Sequence, residues 1–414
     1  MAKNCPGCGA PMEYDPGFDS LVCTSCGNII DPKTLPDADS FYYENPDADS
    51  GPEDIKDTLS EFEELTGEMY DRHVYKCSQC GGEVLVSGTE ISTRCIYCGS
   101  TSVVFSRISK ENRPDKIVPF SITKEEAIET VKKNILSGAF MPKGFKKIDP
   151  ELVRGIYIPY FTYDGVISDT QRHMIGLSEK SYVFDGSAEF ENLLVECCTA
   201  LDDRSTALLE PYNVKAAVDF DTSYLMGFYS NIQDVTPQKA KGTAELKAKT
   251  IFNAQMRKIT KNSTVKNVSS LPKLELERTG YILLPAWFIT ITSNNTPYTF
   301  LVNGQSGRCT GTAPWSKVKV FGTIAAATAA LWALLFTLLT KVEVPHINKI
   351  TDIEKADYII IRGGPQIAAG LIALAAGITL TIAIGKFRRL IRKLKRTGSV
   401  STLIFAKRRQ GGVK

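Results

Sequence analysis

Two uncharged apolar runs dominate the hydropathy pattern toward the C-terminal end. Val320 to Leu339 lies between Lys319 and Lys341, and Ile367 to Gly385 lies between Arg362 and Lys386. A helix rises about 1.5 Å per residue, so about 20 apolar residues cross the roughly 30 Å hydrocarbon core of a bilayer. Neither run has the polar stripe of a core helix. The polar side chains inside them are Thr323, Thr328, Thr337, Thr379 and Thr381. Gly322, Ala326 and Ala330 recur at four-residue spacing, as do Ala369, Ala373 and Gly377. That spacing lets helix backbones approach closely in lipid. The pattern predicts a transmembrane hairpin over 315–385, with helices at 320–339 and 367–385.

Upstream, residues 107–314 read as a mixed α+β body. Thr123-Lys-Glu-Glu126 is a capping box, and Ala127, Ile128, Val131 and Ile135 continue a helical stripe. Thr236-Pro237 starts a second helix, because Pro suits the first helical position. Its apolar positions run from Leu246 to about residue 260. Strands are predicted at Gly155–Tyr163, Leu274–Glu277, Tyr281–Ile291 and Tyr298–Val302, and Asn303-Gly304 is a hairpin-turn signal. GIYIPYFTYDG (155–165) and GYILLPAWFITI (280–291) look alike, each an aromatic strand with a central Pro. They read as a trace of duplication, and Pro159 and Pro285 predict edges or bulges, since Pro cannot donate to a ladder.

Charge divides the chain further. The net charge of +3 hides an acidic N-terminal part and a basic C-terminal one. Asp31 to Arg72 holds fourteen Asp or Glu against Lys33, Lys56 and Arg72, and PDADS occurs twice, at 36–40 and 46–50. Residues 31–73 are therefore predicted as an acidic linker. Ile55, Leu59, Phe62, Leu65 and Met69 share one helical face within it. At the other end, Lys386, Arg388, Arg389, Arg392, Lys393, Lys395 and Arg396 crowd the exit of the second apolar run, while the loop 342–366 is balanced. Positive flanks stay in the cytoplasm. The expected location is thus a cell membrane, multi-pass, with both termini cytoplasmic. The basic tail 386–414 is expected to face the anionic lipids of the inner leaflet.

Eight of the eleven cysteines form two sets. Cys5, Cys8, Cys23 and Cys26 lie in residues 1–30; Cys77, Cys80, Cys95 and Cys98 lie in residues 74–106. Each set is CxxC, fourteen residues, CxxC. Two thiolates two residues apart grip one metal from a tight turn, and two such knuckles complete a tetrahedral four-cysteine site with Zn–S about 2.3 Å. Gly9, Gly27, Gly81 and Gly99 follow the second cysteine of each pair, where positive φ is needed. The pattern predicts two structural Zn2+ sites in two zinc ribbons, with iron as the competing metal. Four protein ligands leave no open position for chemistry.

Zinc ribbons often bind nucleic acid, but Met1 to Ile30 holds Lys3 against Glu13, Asp15 and Asp19. Affinity for nucleic acid rests on phosphate neutralisation, so protein partners are favoured. No catalytic residue is predicted. His73, His173 and His346 stand in no motif, and no P-loop, nucleophile elbow or dinucleotide fingerprint is present. Cys197, Cys198 and Cys309 read as structural thiols.

The knuckles CPGCGA (5–10) and CIYCGS (95–100) resemble a family of bacterial zinc-ribbon membrane proteins of transcription factor IIB type. So do PDKIVPF (114–120), GIYIPYFTYDG, LEPYN (209–213), YLMGFY (224–229), YILLPAWF (281–288) and FLVNGQSG (300–307). The resemblance implies partnership with phage-shock protein A or SPFH-type scaffold proteins in membrane stress. Two ribbons with a long acidic spacer depart from the simplest form of that family. The reading that joins these features is a non-enzymatic, membrane-anchored zinc-ribbon adaptor able to form homo-oligomers. Its competitor is a membrane-tethered nucleic-acid-binding protein.

Overall fold

The computed structural model describes residues 4–34, 69–79, 81–86, 95, 100–136, 141, 148–149, 152–175, 181–199, 201, 203–259, 265–293, 296–311, 316, 318–323, 325–326, 329–330 and 333. Strands β1 (Met12–Asp15), β2 (Ser20–Cys23) and β3 (Ile29–Ile30) make a small antiparallel sheet in the order β1-β2-β3. Among the described residues a second sheet has twelve strands. They are β4 (Met69–Cys77), β5 (Glu83–Val86), β6 (Val103–Asn112), β7 (Lys116–Ile117), β8 (Val153–Ile175) and β9 (Ser181–Glu196). Then come β10 (Val218–Asp219), β11 (Tyr229–Ser230), β12 (Val265–Ser270), β13 (Lys273–Ser293), β14 (Thr296–Asn303) and β15 (Cys309–Gly311). Among the described residues of the body the α-helices are α1 (Lys124–Val131), α2 (Asp203–Leu209) and α3 (Pro237–Ile259).

The two longest strands, β8 and β13, lie side by side and antiparallel, from Lys273 opposite Ser168 to Ile289 opposite Val153. Their apolar runs explain the position, because both faces are covered. Ile156, Tyr157, Ile158, Tyr160 and Phe161 on β8 are buried, as are Ile282, Leu283, Leu284, Ala286 and Phe288 on β13. A short continuous apolar run is the mark of a fully buried strand.

Around this pair the sheet repeats itself. Strand β7 runs parallel to β13, with Ile117 opposite Leu283, and β11 runs parallel to β8, with Ser230 opposite Tyr157. Val118 N–H then donates to Leu283 O at 3.0 Å, and Asn231 N–H donates to Tyr157 O at 2.9 Å. Two residues further along each long strand stands a proline, Pro285 or Pro159. Each marks a change of neighbour. β13 leaves β7 after Leu283 and joins β14 at Ala286; β8 leaves β11 after Tyr157 and joins β9 at Tyr160. The expectation that these prolines mark sheet edges is thus corrected. They sit in central strands, at the junction where an absent N–H leaves no ladder partner unsatisfied. Their carbonyls accept from Gly304 N–H (2.9 Å) and Cys197 N–H (3.0 Å).

Both predicted helices form. Thr123 caps α1, accepting from Glu126 N–H at 3.3 Å while the Glu126 carboxylate accepts from Thr123 N–H at 2.9 Å. Helix α3 buries Ala240, Ala244, Ala248, Phe252 and Met256, one face at four-residue spacing. Phe252 and Met256 pack with Ile167.

The sequence expectation of a membrane-spanning hairpin is not met. Of 320–339, the described positions 320–323, 325, 326, 329, 330 and 333 are helical, and 367–385 lies outside the described residues. Among the described residues no helix is long and apolar enough to cross a membrane. The multi-pass location, the membrane-anchored adaptor and its membrane-tethered competitor therefore lose the element they were built on. Lys386, Arg388, Arg389, Arg392, Lys393, Lys395 and Arg396 also lie outside the described residues. Met69 moves as well. It opens β4 rather than closing a helix, and Ile55, Leu59, Phe62 and Leu65 are outside the described residues.

Candidate metal centre

The first four-cysteine set comes together as the spacing predicts. Each CxxC folds as a knuckle closed by two backbone bonds. Cys5 N–H donates to Ala10 O (2.8 Å) and Gly9 N–H to Cys5 O (2.8 Å). Cys23 N–H donates to Asn28 O (2.9 Å) and Gly27 N–H to Cys23 O (3.0 Å). Gly9 and Gly27 have φ of 74° and 73°, the left-handed conformation glycine adopts without steric cost.

The β1–β2 hairpin brings the knuckles face to face. Met12 lies opposite Cys23, so one strand end carries the second knuckle to the first. The four sulfurs lie within 4.8 Å of one another, with Cys5–Cys26 at 3.7 Å and Cys8–Cys23 at 3.4 Å. A tetrahedron with Zn–S of about 2.3 Å has edges of about 3.8 Å. Cys5 and Cys23 are buried while Cys8 and Cys26 are exposed, so the cluster sits at the rim of the small sheet.

The electrostatics fit a cation. The backbone N–H of Cys26 leads in lowering the Cys23 thiol to about 6, with help from Ser25. The Gly7 N–H leads in lowering Cys5. At Cys26 the Asn28 N–H pulls downward, but the sulfurs of Cys8, Cys23 and Cys5 outweigh it and push that thiol up to about 12. Hydrogen bonding of the Cys26 thiol to these sulfurs is the cause, and a divalent cation among them would take the place of its proton.

Of the second set, the first cysteine of each pair lies within the described residues. Cys77 N–H donates to Gly82 O (2.9 Å), Gly81 N–H to Cys77 O (2.7 Å) and Cys95 N–H to Ser100 O (2.7 Å), and Gly81 has φ of 70°. Cys77 and Cys95 are buried with Val84 in the main core. Cys80 and Cys98 lie outside the described residues, as does Gly99. Where two zinc ribbons with two metal sites were expected, one four-cysteine cluster is found among the described residues.

What the sequence did not reveal is how the ribbon is seated. Tyr14 N–H donates to Met226 O at 3.1 Å, and its ring meets Tyr224 (5.3 Å between centroids) and Phe228 (6.3 Å). The Tyr14 hydroxyl is hydrogen-bonded to Asp19, and burial raises its pKa. Ser223 Oγ donates to Pro32 O at 3.2 Å. Gly227, at φ of 83°, lets the Glu13 side chain lie against the backbone. The signal lay in YLMGFY, a glycine among aromatics with no helical or strand period.

No family model matches the chain, and no solved structure matches it. A curated relative, the uncharacterized protein YdjG of Bacillus subtilis (strain 168), is 26% identical over 337 residues, covering 77% of this chain and 92% of the relative. The likeness thus extends along most of both proteins, and the relative's name assigns no activity.

Proposed function

We propose that this chain is a zinc protein in which Cys5, Cys8, Cys23 and Cys26 hold one structural ion. The observation that carries the reading is the set of four sulfurs within 4.8 Å of one another. When bound, the ion supplies four strong bonds and no open coordination position, so its work is folding rather than catalysis. The knuckle N–H groups favour the thiolates of Cys5 and Cys23, and the β1–β2 hairpin fixes the separation of the sulfurs. The metal thereby completes a ribbon whose Tyr14 and Met12 face the body. Kinship with transcription factor IIB-type ribbons enters only at this level, through CPGCGA at 5–10. The partner this reading favours is a protein of the SPFH or phage-shock scaffold kind; its support is the sequence resemblance and the acidic excess of the first ribbon, where Lys3 stands against Glu13, Asp15 and Asp19.

The test is metal analysis of the purified full chain beside Cys8→Ser and Cys26→Ser. Each variant should contain about one zinc less per chain than the parent. Equal zinc in parent and variants, or visible iron–thiolate absorption bands in the parent that the variants lose, overturns the reading.

A further inference from the structure

The ribbon and the body enclose a cleft of about 840 Å³. Its ribbon wall carries Glu13 and Asp15; its body wall carries Lys124, Glu125 and Arg154, over Phe228 and Trp287. Cavities of about 300–1,000 Å³ accept small molecules.

Two cations in this cleft have no structural employment. Arg154 Nη1 donates at 3.2 Å to the carbonyl of its own neighbour, Val153. Lys124 forms no hydrogen bond or close ion pair among the described residues. Lys124 also occupies the first position of α1, where the helix dipole disfavours a positive charge. Burial first, then the nearby Arg154 charge, lowers the Lys124 pKa; Glu125, Glu13 and Asp149 act in the opposite sense without cancelling them. A local rule broken without gain to the fold is the mark of a functional position. The helix end itself is not the attraction, since Thr123 and Glu126 already cap it.

The ribbon wall is of opposite character. Asp15 accepts from Gly17 N–H at 2.7 Å, while the Glu13 stem lies against Gly227. A simple anion would meet these carboxylates as well as the cations. A ligand with one negative and one positive end satisfies both walls. We propose that the cleft between ribbon and body binds a small zwitterion, with its carboxylate or phosphate group held by Lys124 and Arg154 and its ammonium group held by Glu13 and Asp15. Arg154 offers a planar fork matched to either oxyanion. Gly155 keeps the floor low, because a Cβ there would stand 2.3 Å from the Phe228 ring.

The experiment is calorimetric titration of the zinc-loaded full chain, its zinc content verified. Phosphoethanolamine and β-alanine carry the same aminoethyl arm on phosphate and on carboxylate; inorganic phosphate lacks the arm. One of the two zwitterions should bind with a stoichiometry of one, at least tenfold tighter than inorganic phosphate, and which of them binds identifies the oxyanion. Arg154→Gln should weaken that binding by at least tenfold. Glu13→Gln should abolish the preference over inorganic phosphate while leaving phosphate itself unaffected. Acetylation of Lys124 by acetic anhydride, read by mass spectrometry, should be slowed by the bound zwitterion. No binding of either zwitterion at 10 mM (roughly the weakest affinity worth assigning to a site, about 2.7 kcal/mol), or binding that neither substitution changes, overturns the proposal.

Discussion

At single positions, glycine does two different jobs here. Gly9, Gly27 and Gly81 supply positive φ behind a cysteine, and the CxxCG spelling made that readable. Gly155 is needed for space instead. A methyl group there would meet Phe228 at 2.3 Å and 2.5 Å and Phe120 at 3.2 Å. Phe228 cannot step aside, being stacked on Phe120 with centroids 4.4 Å apart and held at 5.9 Å from Trp287. Gly155→Ala should therefore destabilise the body by about 1–3 kcal/mol, the usual range for overpacking. Urea unfolding followed by tryptophan fluorescence measures it; an unchanged midpoint contradicts the packing described. Nothing in GIYIP separates a spacing glycine from a turn glycine, because the partner ring lies more than seventy residues away in sequence.

At the level of helices and strands, local chemistry was legible and extent was not. Thr123-Lys-Glu-Glu126 specified a helix start, and α1 begins at Lys124. Thr236-Pro237 did the same for α3. Thr123→Ala removes the reciprocal pair and should cost about 1 kcal/mol. Hydrogen exchange of the α1 amides, measured by mass spectrometry, should then quicken about fivefold relative to α3; equal protection in both helices would argue against the cap. The apolar run of β8 ends near Tyr163, yet the strand continues to Ile175. Its second half pairs with β9, whose residues 183–190 alternate between exposed and half-buried. That half is held by a neighbour rather than by its own hydrophobicity, so composition did not announce it. Conversely, two long apolar runs announced membrane helices that are not found among the described residues. Hydropathy measures preference for an apolar setting, whereas crossing a bilayer also requires about 20 residues of continuous helix.

For the whole molecule, the metal and the cleft are linked through one small sheet. Zinc-dependent folding of small modules is worth about 10–16 kcal/mol in peptides. Stripping the ion with a chelator should release residues 4–34 from the body. Subtilisin, which needs no zinc, should then cut within that stretch, while fragments containing β8, β13 and β14 survive. Equal resistance before and after chelation would mean that Tyr14, Met226 and Ser223 hold the ribbon without metal. The four cysteines of this cluster were legible because their spacing is local to two turns. Its seat on the body was not, because the partners at 223–228 meet it only through the tertiary fold.

The crossed arrangement of the two parallel strands carries a further consequence. Residues 116–117 precede α1 and β8 in the chain but lodge beside β13; residues 229–230 precede α3 and β13 but lodge beside β8. Each half thus keeps a finger in the other's grip. A polypeptide stopped after β9 has made a strand whose berth has not yet been synthesised, so the sheet closes late, as a single mutual act of the complete chain.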